Sequence, residues 1–357
     1  MIFLINGTTQ LWVPLPILNK ALFTSWKYPY VLAMDILIFI LTLLLIARAS
    51  TLIAKYRCFH INLRVLLIFQ LCQWLEILCA RYLLFDYLIG YKFLGDKSKI
   101  YHHFWTDKLE EMVQISCFLE EWPLFLGGFL YTHHFASCLF FLFSVSMERA
   151  IASYYLSDYE RKTRPYISIA IIIVSMLFSS AYSVFFAFNF FNLTFIVIVL
   201  VTVASTTLYT SVFYYNTRIK KISDKNSKRE NYTLARRFQT MENLKSLRMA
   251  KYVVSTHAVY VSLCEVCFIC VYYGAESNYW EVFGYILDFV VSYSNCIIVL
   301  IVIFSVPCWK KSFLRPLYMF RRMQSNRVSM ASQEKDPEED ARQISSIYFQ
   351  QLARAWT

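Results

Sequence analysis

A chain of 357 residues that is 58% hydrophobic, 18% aromatic and only 17% charged lies well below the charged fraction of about 25% usual in soluble domains. Its mean hydropathy of +0.45 points the same way. The composition excludes an ordinary soluble domain and indicates lipid as the solvent. With 7 Gly and 8 Pro, G-x-G-x-x-G and G-x-x-x-x-G-K-[ST] phosphate loops are absent, as are G-x-S-x-G and H-E-x-x-H, so no cofactor, no metal and no enzyme is expected.

In chain order, residues 1–27 precede the first long apolar run. Met1–Ile5 is too short for a signal-peptide core and no A-x-A site follows, so the first run is expected to serve as an uncleaved anchor. A spanning helix needs about 20 apolar residues, since the hydrocarbon core is about 30 Å thick and a helix rises about 1.5 Å per residue. Runs of that kind occur at 28–47, 64–88, 123–147, 165–188, 192–215, 252–273 and 283–306. The fourth opens on Pro165, at a helix position where a missing N–H costs nothing, and Pro307 closes the seventh. Seven such runs in series cannot be hidden in a soluble core of this size. The expected fold is all-α, a bundle of seven transmembrane helices over 28–306. A juxtamembrane interfacial segment at 307–324 and a polar, disordered tail at 325–357 follow it.

Placement of the bases sets the direction. The connectors 48–64, 148–164, 216–251 and the stretch 307–357 hold 28 of the 35 Lys and Arg. By the positive-inside rule these face the cytoplasm, with the N-terminus outside and the C-terminus inside. The net charge of +11 is then a topology signal reinforced by anionic membrane lipid, and nucleic acid is not an expected partner. Asn6-Gly7-Thr8 becomes an outside sequon and glycosylation candidate; Asn231-Tyr232-Thr233, inside, should stay bare.

Ionisable residues inside spans are costly and mark function or mutual pairing. Counting residues places Asp35, Arg81, Glu265 and Asp288 in the outer half, and Glu76, His133 and His134 near mid-depth. This distribution implies a polar outer cavity for an external small-molecule ligand. Two readings stay open: Arg81 pairs with Asp35 or Asp288 as helix glue, or these groups meet a ligand. Glu265 has no evident cationic partner and is the stronger ligand contact. Only one of His133 and His134 can point squarely inward, because neighbours on a helix sit about 100° apart. Cys264, Cys267 and Cys270 spell C-x₂-C-x₂-C, but Gly274 stands where an iron–sulfur pattern needs its next cysteine, so they read as a helix-packing stripe.

The third span ends in Glu148-Arg149, followed by Ala152-Ser153 and Asp158-Tyr159-Glu160 before the fourth. This stretch, MERAIASYYLSDYERKTRPYISI, resembles the nematode serpentine receptor class epsilon (Sre) family of chemoreceptors, and the resemblance runs from WVPLPILN at 12–19 to the basic stretch after the seventh span. It implies a G-protein-coupled receptor in which Arg149 is locked through Glu148 at rest and meets a heterotrimeric G protein when the bundle opens. Glu148, Arg149, Asp158 and Tyr159 are the implied coupling residues. The sequence departs from rhodopsin-like receptors in lacking N-P-x-x-Y and C-W-x-P, and no cysteine near 189–191 can pair with Cys117.

On the basic face, 216–251 has eleven Lys/Arg against three acids and turns to helical spacing after Tyr232. It reads as a solvated loop or as inward extensions of the fifth and sixth spans that dock an acidic partner. After Pro307, Trp309 and Phe313 lie four apart among lysines, as in a short helix on the inner leaflet, with Cys308 a palmitoylation candidate. The alternative to a receptor is a small-solute transporter or channel without G-protein coupling. Such proteins commonly show internal repeats and broken helices, and no repeat is visible here. An intramembrane enzyme would have only His133 or His134 with Glu265 to draw on.

Overall fold

A computed structural model describes residues 1–15, 18, 28–56, 58–96, 98–101, 106–155, 164–225, 234–273 and 280–315. Seven of its helices are long and apolar enough to cross a membrane. They are α1 (Tyr28–Lys55), the pair α2 (Ile61–Cys72) and α3 (Trp74–Leu88), α4 (Trp122–Tyr154), α5 (Pro165–Ala187), α6 (Phe191–Lys225), α7 (Leu234–Tyr273) and α8 (Trp280–Phe304). Pro123 and Pro165 sit in the first turns of α4 and α5, where no hydrogen bond is lost. Asn189, at φ +71°, turns the chain tightly from α5 into α6.

One helix forms the axis. About 78% of the apolar window of α4 is buried, against 22% for α5 and for α6 and 28% for α1. The outer helices instead expose large apolar side chains such as Ile36, Leu37 and Ile40 on α1 and Ile173, Leu177 and Phe178 on α5. In water such a surface would be untenable; in a bilayer it is the lipid-facing belt. Gly127 lets α3 press on α4, because a Cβ there would lie 2.8 Å from Leu84 Cγ and 3.2 Å from the Ala80 carbonyl oxygen.

Three features add to the sequence-based expectation, the second being one of the two readings left open for 216–251. The second span is interrupted at Gln73, between α2 and α3. Helices α6 and α7 run 35 and 40 residues, well past the about 20 a bilayer needs, so described parts of the basic connector continue the helices. Residues 307–315 are helical, but Trp309 is buried against Phe59, ring centroids 5.3 Å apart, so its indole packs into protein rather than lipid.

The N-terminal stretch is also structured. Strands β1 (Ile2–Ile5) and β2 (Thr9–Trp12) form an antiparallel hairpin, with Ile2 opposite Trp12 and Ile5 opposite Thr9. Asn6 and Gly7 both have positive φ, +50° and +71°, the geometry of a type I′ turn that Asn-Gly favours. Strand β3 (Val113–Ile115) adds in parallel to β1, giving the order β2-β1-β3. The sheet caps the end of the bundle opposite the basic connectors, called here the hairpin end. The segment 316–357 lies outside the described residues.

Candidate functional site

At the hairpin end, Arg81 on α3 ties three helices together. Its Nη1 donates to Asp35 Oδ2 on α1 at 3.4 Å, its Nη2 donates to Asp288 on α8, and both Nε and Nη2 reach Ser292 Oγ, at 3.0 and 2.9 Å. The Tyr293 hydroxyl donates to Asp35, and the guanidinium stacks over Phe39 and Tyr293 at 5.6 and 5.7 Å. Of the two readings left open by the sequence, pairing is the arrangement seen. Glu265, on α7, is half-buried and has neither an ion pair nor a hydrogen bond among the described residues.

At mid-depth both histidines of α4 find polar partners on the second span. His133 Nδ1 lies 2.7 Å from Glu76 Oε2. His134 Nδ1 lies 3.2 Å from the Gln73 carbonyl oxygen, at the interruption between α2 and α3, and Asn295 Nδ2 lies 3.3 Å from His134 Nε2. An Nδ1–H tautomer satisfies both contacts, donating to Gln73 and accepting from Asn295. Adjacent residues thus face inward together because the second span packs across both. His257, which periodicity did not single out, is also buried; its Nδ1 lies 2.9 Å from the Val253 carbonyl oxygen, and its Nε2 has no hydrogen-bond partner among the described residues.

At the basic end, Glu148 and Arg149 are 0% and 3% exposed. Arg149 donates to both carboxylate oxygens of Glu148. Its Nη1 also donates to Asn243 Oδ1 on α7 at 3.1 Å. Asn243 Nδ2 donates in turn to Ser153 Oγ on α4 and to Asn216 Oδ1 on α6, both at 2.9 Å, and Asn216 Nδ2 donates to Ser153 Oγ at 2.7 Å. A buried polar network therefore fastens the third, fifth and sixth spans, and the acid–base pair is not a snorkelling cap. Asp158 and Tyr159 lie outside the described residues.

Cys308 does not stand as a free thiol: it is bonded to Cys58. A palmitoyl thioester at Cys308 needs that bond reduced, because one sulfur cannot hold both. Cys117 is free, in keeping with the lack of a cysteine near 189–191. No group of three or more potential metal ligands occurs among the described residues.

Two cavities bear on ligand access, and none of Asp35, Arg81, His133, His134, Glu265 or Asp288 lines either. The larger, about 720 Å³, lies at the hairpin end between Leu4, Asn6 and Gly7 and the loop bearing Asp96, Lys99 and Glu110. Glu121, one of its lining residues, pairs with Lys92 at 2.8 Å. Partial burial disfavours the Lys92 charge, but Glu121 and Tyr87 outweigh it and the pKa is raised. The smaller cavity, about 10 Å³, lies within the bundle, lined by Trp12, Pro14 and aromatic side chains of α4, α5 and α7.

Over its full length, residues 1–357, the chain matches the family model described as Sre G protein-coupled chemoreceptor. It belongs to the Sre family. Similar curated proteins from Caenorhabditis elegans agree along whole chains. Serpentine receptor class epsilon-38 is 28% identical over 98% of this chain and 99% of its own. Class epsilon-37 is 24% identical over 100% and 99%, and class epsilon-45 is 28% identical over 100% of both. This Sre protein is a multi-pass membrane protein of the chemoreceptor type. Two parts of its candidate site escaped sequence reasoning. The asparagines 216 and 243 sit in connector sequence rich in polar residues, where nothing sets them apart. The Asn-Gly turn between IFLI and TQLW is a readable hairpin signal as well as a sequon.

Proposed function

We propose that this Sre receptor binds an external small molecule at the hairpin end and signals to a heterotrimeric G protein at the basic end, from the plasma membrane, with the N-terminus outside and C-terminus inside. The observation that carries the reading is the buried network Glu148–Arg149–Asn243–Asn216–Ser153. It joins α4, α6 and α7 at the end where the basic connectors cluster. A buried charged pair hydrogen-bonded to α7, and through Asn243 and Asn216 linked to α6, can act as a two-state element. Closed, it satisfies every partner; opened, it releases a guanidinium to an incoming acidic or carbonyl-rich surface. The long α6 and α7 extend this face beyond the bilayer.

Ligand binding couples to it through α4 and α7, which run from one end to the other, so a tilt of α7 at the ligand end moves Asn243 at the other. Replacing Arg149 by Ala should abolish receptor-driven nucleotide exchange on a co-expressed G protein while surface expression persists. Unchanged exchange would overturn the assignment. Topology has its own test: Asn6 should acquire a glycan, read as an endoglycosidase mobility shift lost in Asn6→Gln, whereas Asn231 should not. A transporter would need a path along the axis, and among the described residues the α4 side chains there, including Phe135, Leu139 and Phe141, are buried, which favours the receptor reading.

A further inference from the structure

We propose that Trp12 is a tethered occupant of the ligand cage, and that the external ligand is a flat, bicyclic aromatic molecule of indole size that displaces it. The inference rests on the receptor reading above and deepens it by naming the ligand's chemistry.

Strand β2 ends in Trp12, and pairing with β1 delivers its side chain inward from the hairpin end. The indole is 2% exposed although it belongs to the N-terminal hairpin and to no helix. It meets Phe186 of α5 edge-on at 4.7 Å, Phe191 of α6 at 5.7 Å and Phe268 of α7 at 6.3 Å. The cage continues without it: Phe186 contacts Phe268 at 5.5 Å, and Phe135 of α4 contacts Phe268 at 6.0 Å and Tyr182 at 6.4 Å. Edge-to-face rings at these separations form a wall whose natural guest is another flat π-system. One side chain of the hairpin thus touches three spans whose relative positions a signal must change.

The space that remains, about 10 Å³ bounded by Trp12 and Pro14, holds roughly one water and no ligand. A molecule reaching this depth has to take the place of the indole. A polar group awaits part of such a guest. The hydroxyl of the buried Tyr182, a residue that lines that space, has no hydrogen bond among the described residues. A donor on the guest ring would satisfy Tyr182. The 720 Å³ cavity lies on the outer side of the same hairpin, with Leu4, Asn6 and Gly7 in its wall. The hairpin thus supplies the guest on one side and walls an outer cavity on the other, and it is seated while the Arg149–Asn243 network at the far end is closed.

The test uses purified full-length receptor, with indole as the probe and hydrogen exchange of residues 1–15 as the readout. In the wild type, saturating indole should speed exchange of the β1 and β2 amides at least about 10-fold, because displacement of Trp12 frees the strand, with the α4 amides unaffected. In Trp12→Ala the hairpin should already exchange fast, and indole should bind at least about 10-fold more tightly than to the wild type, since it no longer competes with a tethered side chain. If Trp12→Ala does not fold, Trp12→Phe is read the same way with a smaller gain. Hairpin protection that ignores saturating indole, or equal indole affinity with and without Trp12, overturns the proposal. Nucleotide exchange on a G protein separates it from the receptor reading. Hairpin release without altered exchange upholds the cage and removes the signalling role. Altered exchange with an undisturbed hairpin does the reverse.

Discussion

Asn243→Leu tests the closed network directly, because Leu keeps the branched heavy-atom skeleton of Asn and makes none of its three hydrogen bonds. In the closed arrangement Asn243 accepts from Arg149 Nη1 at 3.1 Å and donates to Ser153 Oγ and Asn216 Oδ1, each at 2.9 Å. A hydrogen bond to a charged group contributes about 1.5–3 kcal/mol and a neutral one about 0.5–1.5 kcal/mol. Arg149 keeps Glu148 and Asn216 keeps Ser153, so a net loss of about 2 kcal/mol is a conservative figure. Because these bonds join different helices, separation of α7 from α4 and α6 forfeits them in the wild type as well. The open state should therefore be little affected, and the equilibrium shifts by about 30-fold. From a resting open population of about 1%, that gives about 20–25% open. Ligand-free nucleotide exchange by a reconstituted G protein should rise by a similar factor of about 20, at equal receptor amounts. Basal exchange within twofold of the wild type, in a variant that still purifies folded, would show that Asn243 does not hold the closed state.

Replacing Arg81 with Met should lower thermal stability in detergent by about 2–3 kcal/mol. That is less than the about 3–5 kcal/mol of a fully buried pair, since Asp35 and Asp288 keep 36% and 23% side-chain exposure. Adding Asp288→Asn should recover part of the loss, and strictly additive melting shifts would argue against coupling. Gly127→Ala should cost about 1–2 kcal/mol despite the better helix propensity of Ala, because its Cβ meets the Ala80 backbone at 3.2 Å; a neutral or stabilising change would refute that close approach. Cys58→Ser should raise palmitate incorporation at Cys308, measured by acyl exchange, by removing the competing bond. Unaltered incorporation would mean that the two sulfurs do not compete.

The amino-acid sequence alone determines that this chain lives in a bilayer and crosses it seven times, because hydrophobic length is a local property that a window of about 20 residues registers without knowing what packs on what. The Glu148-Arg149 pair and its surroundings were likewise contiguous, and carried the Sre resemblance. Partnership is different. Arg81 reaches acids 46 and 207 residues away, and Arg149 reaches Asn243 across 94. Which of many polar residues meet is decided only when helix rotation and tilt are set by packing against α4. The same holds for Cys58 and Cys308, 250 residues apart. Trp12 shows the limit most plainly: as a residue it is one of 8 tryptophans, and only the hairpin that turns it inward makes it the floor of an aromatic cage.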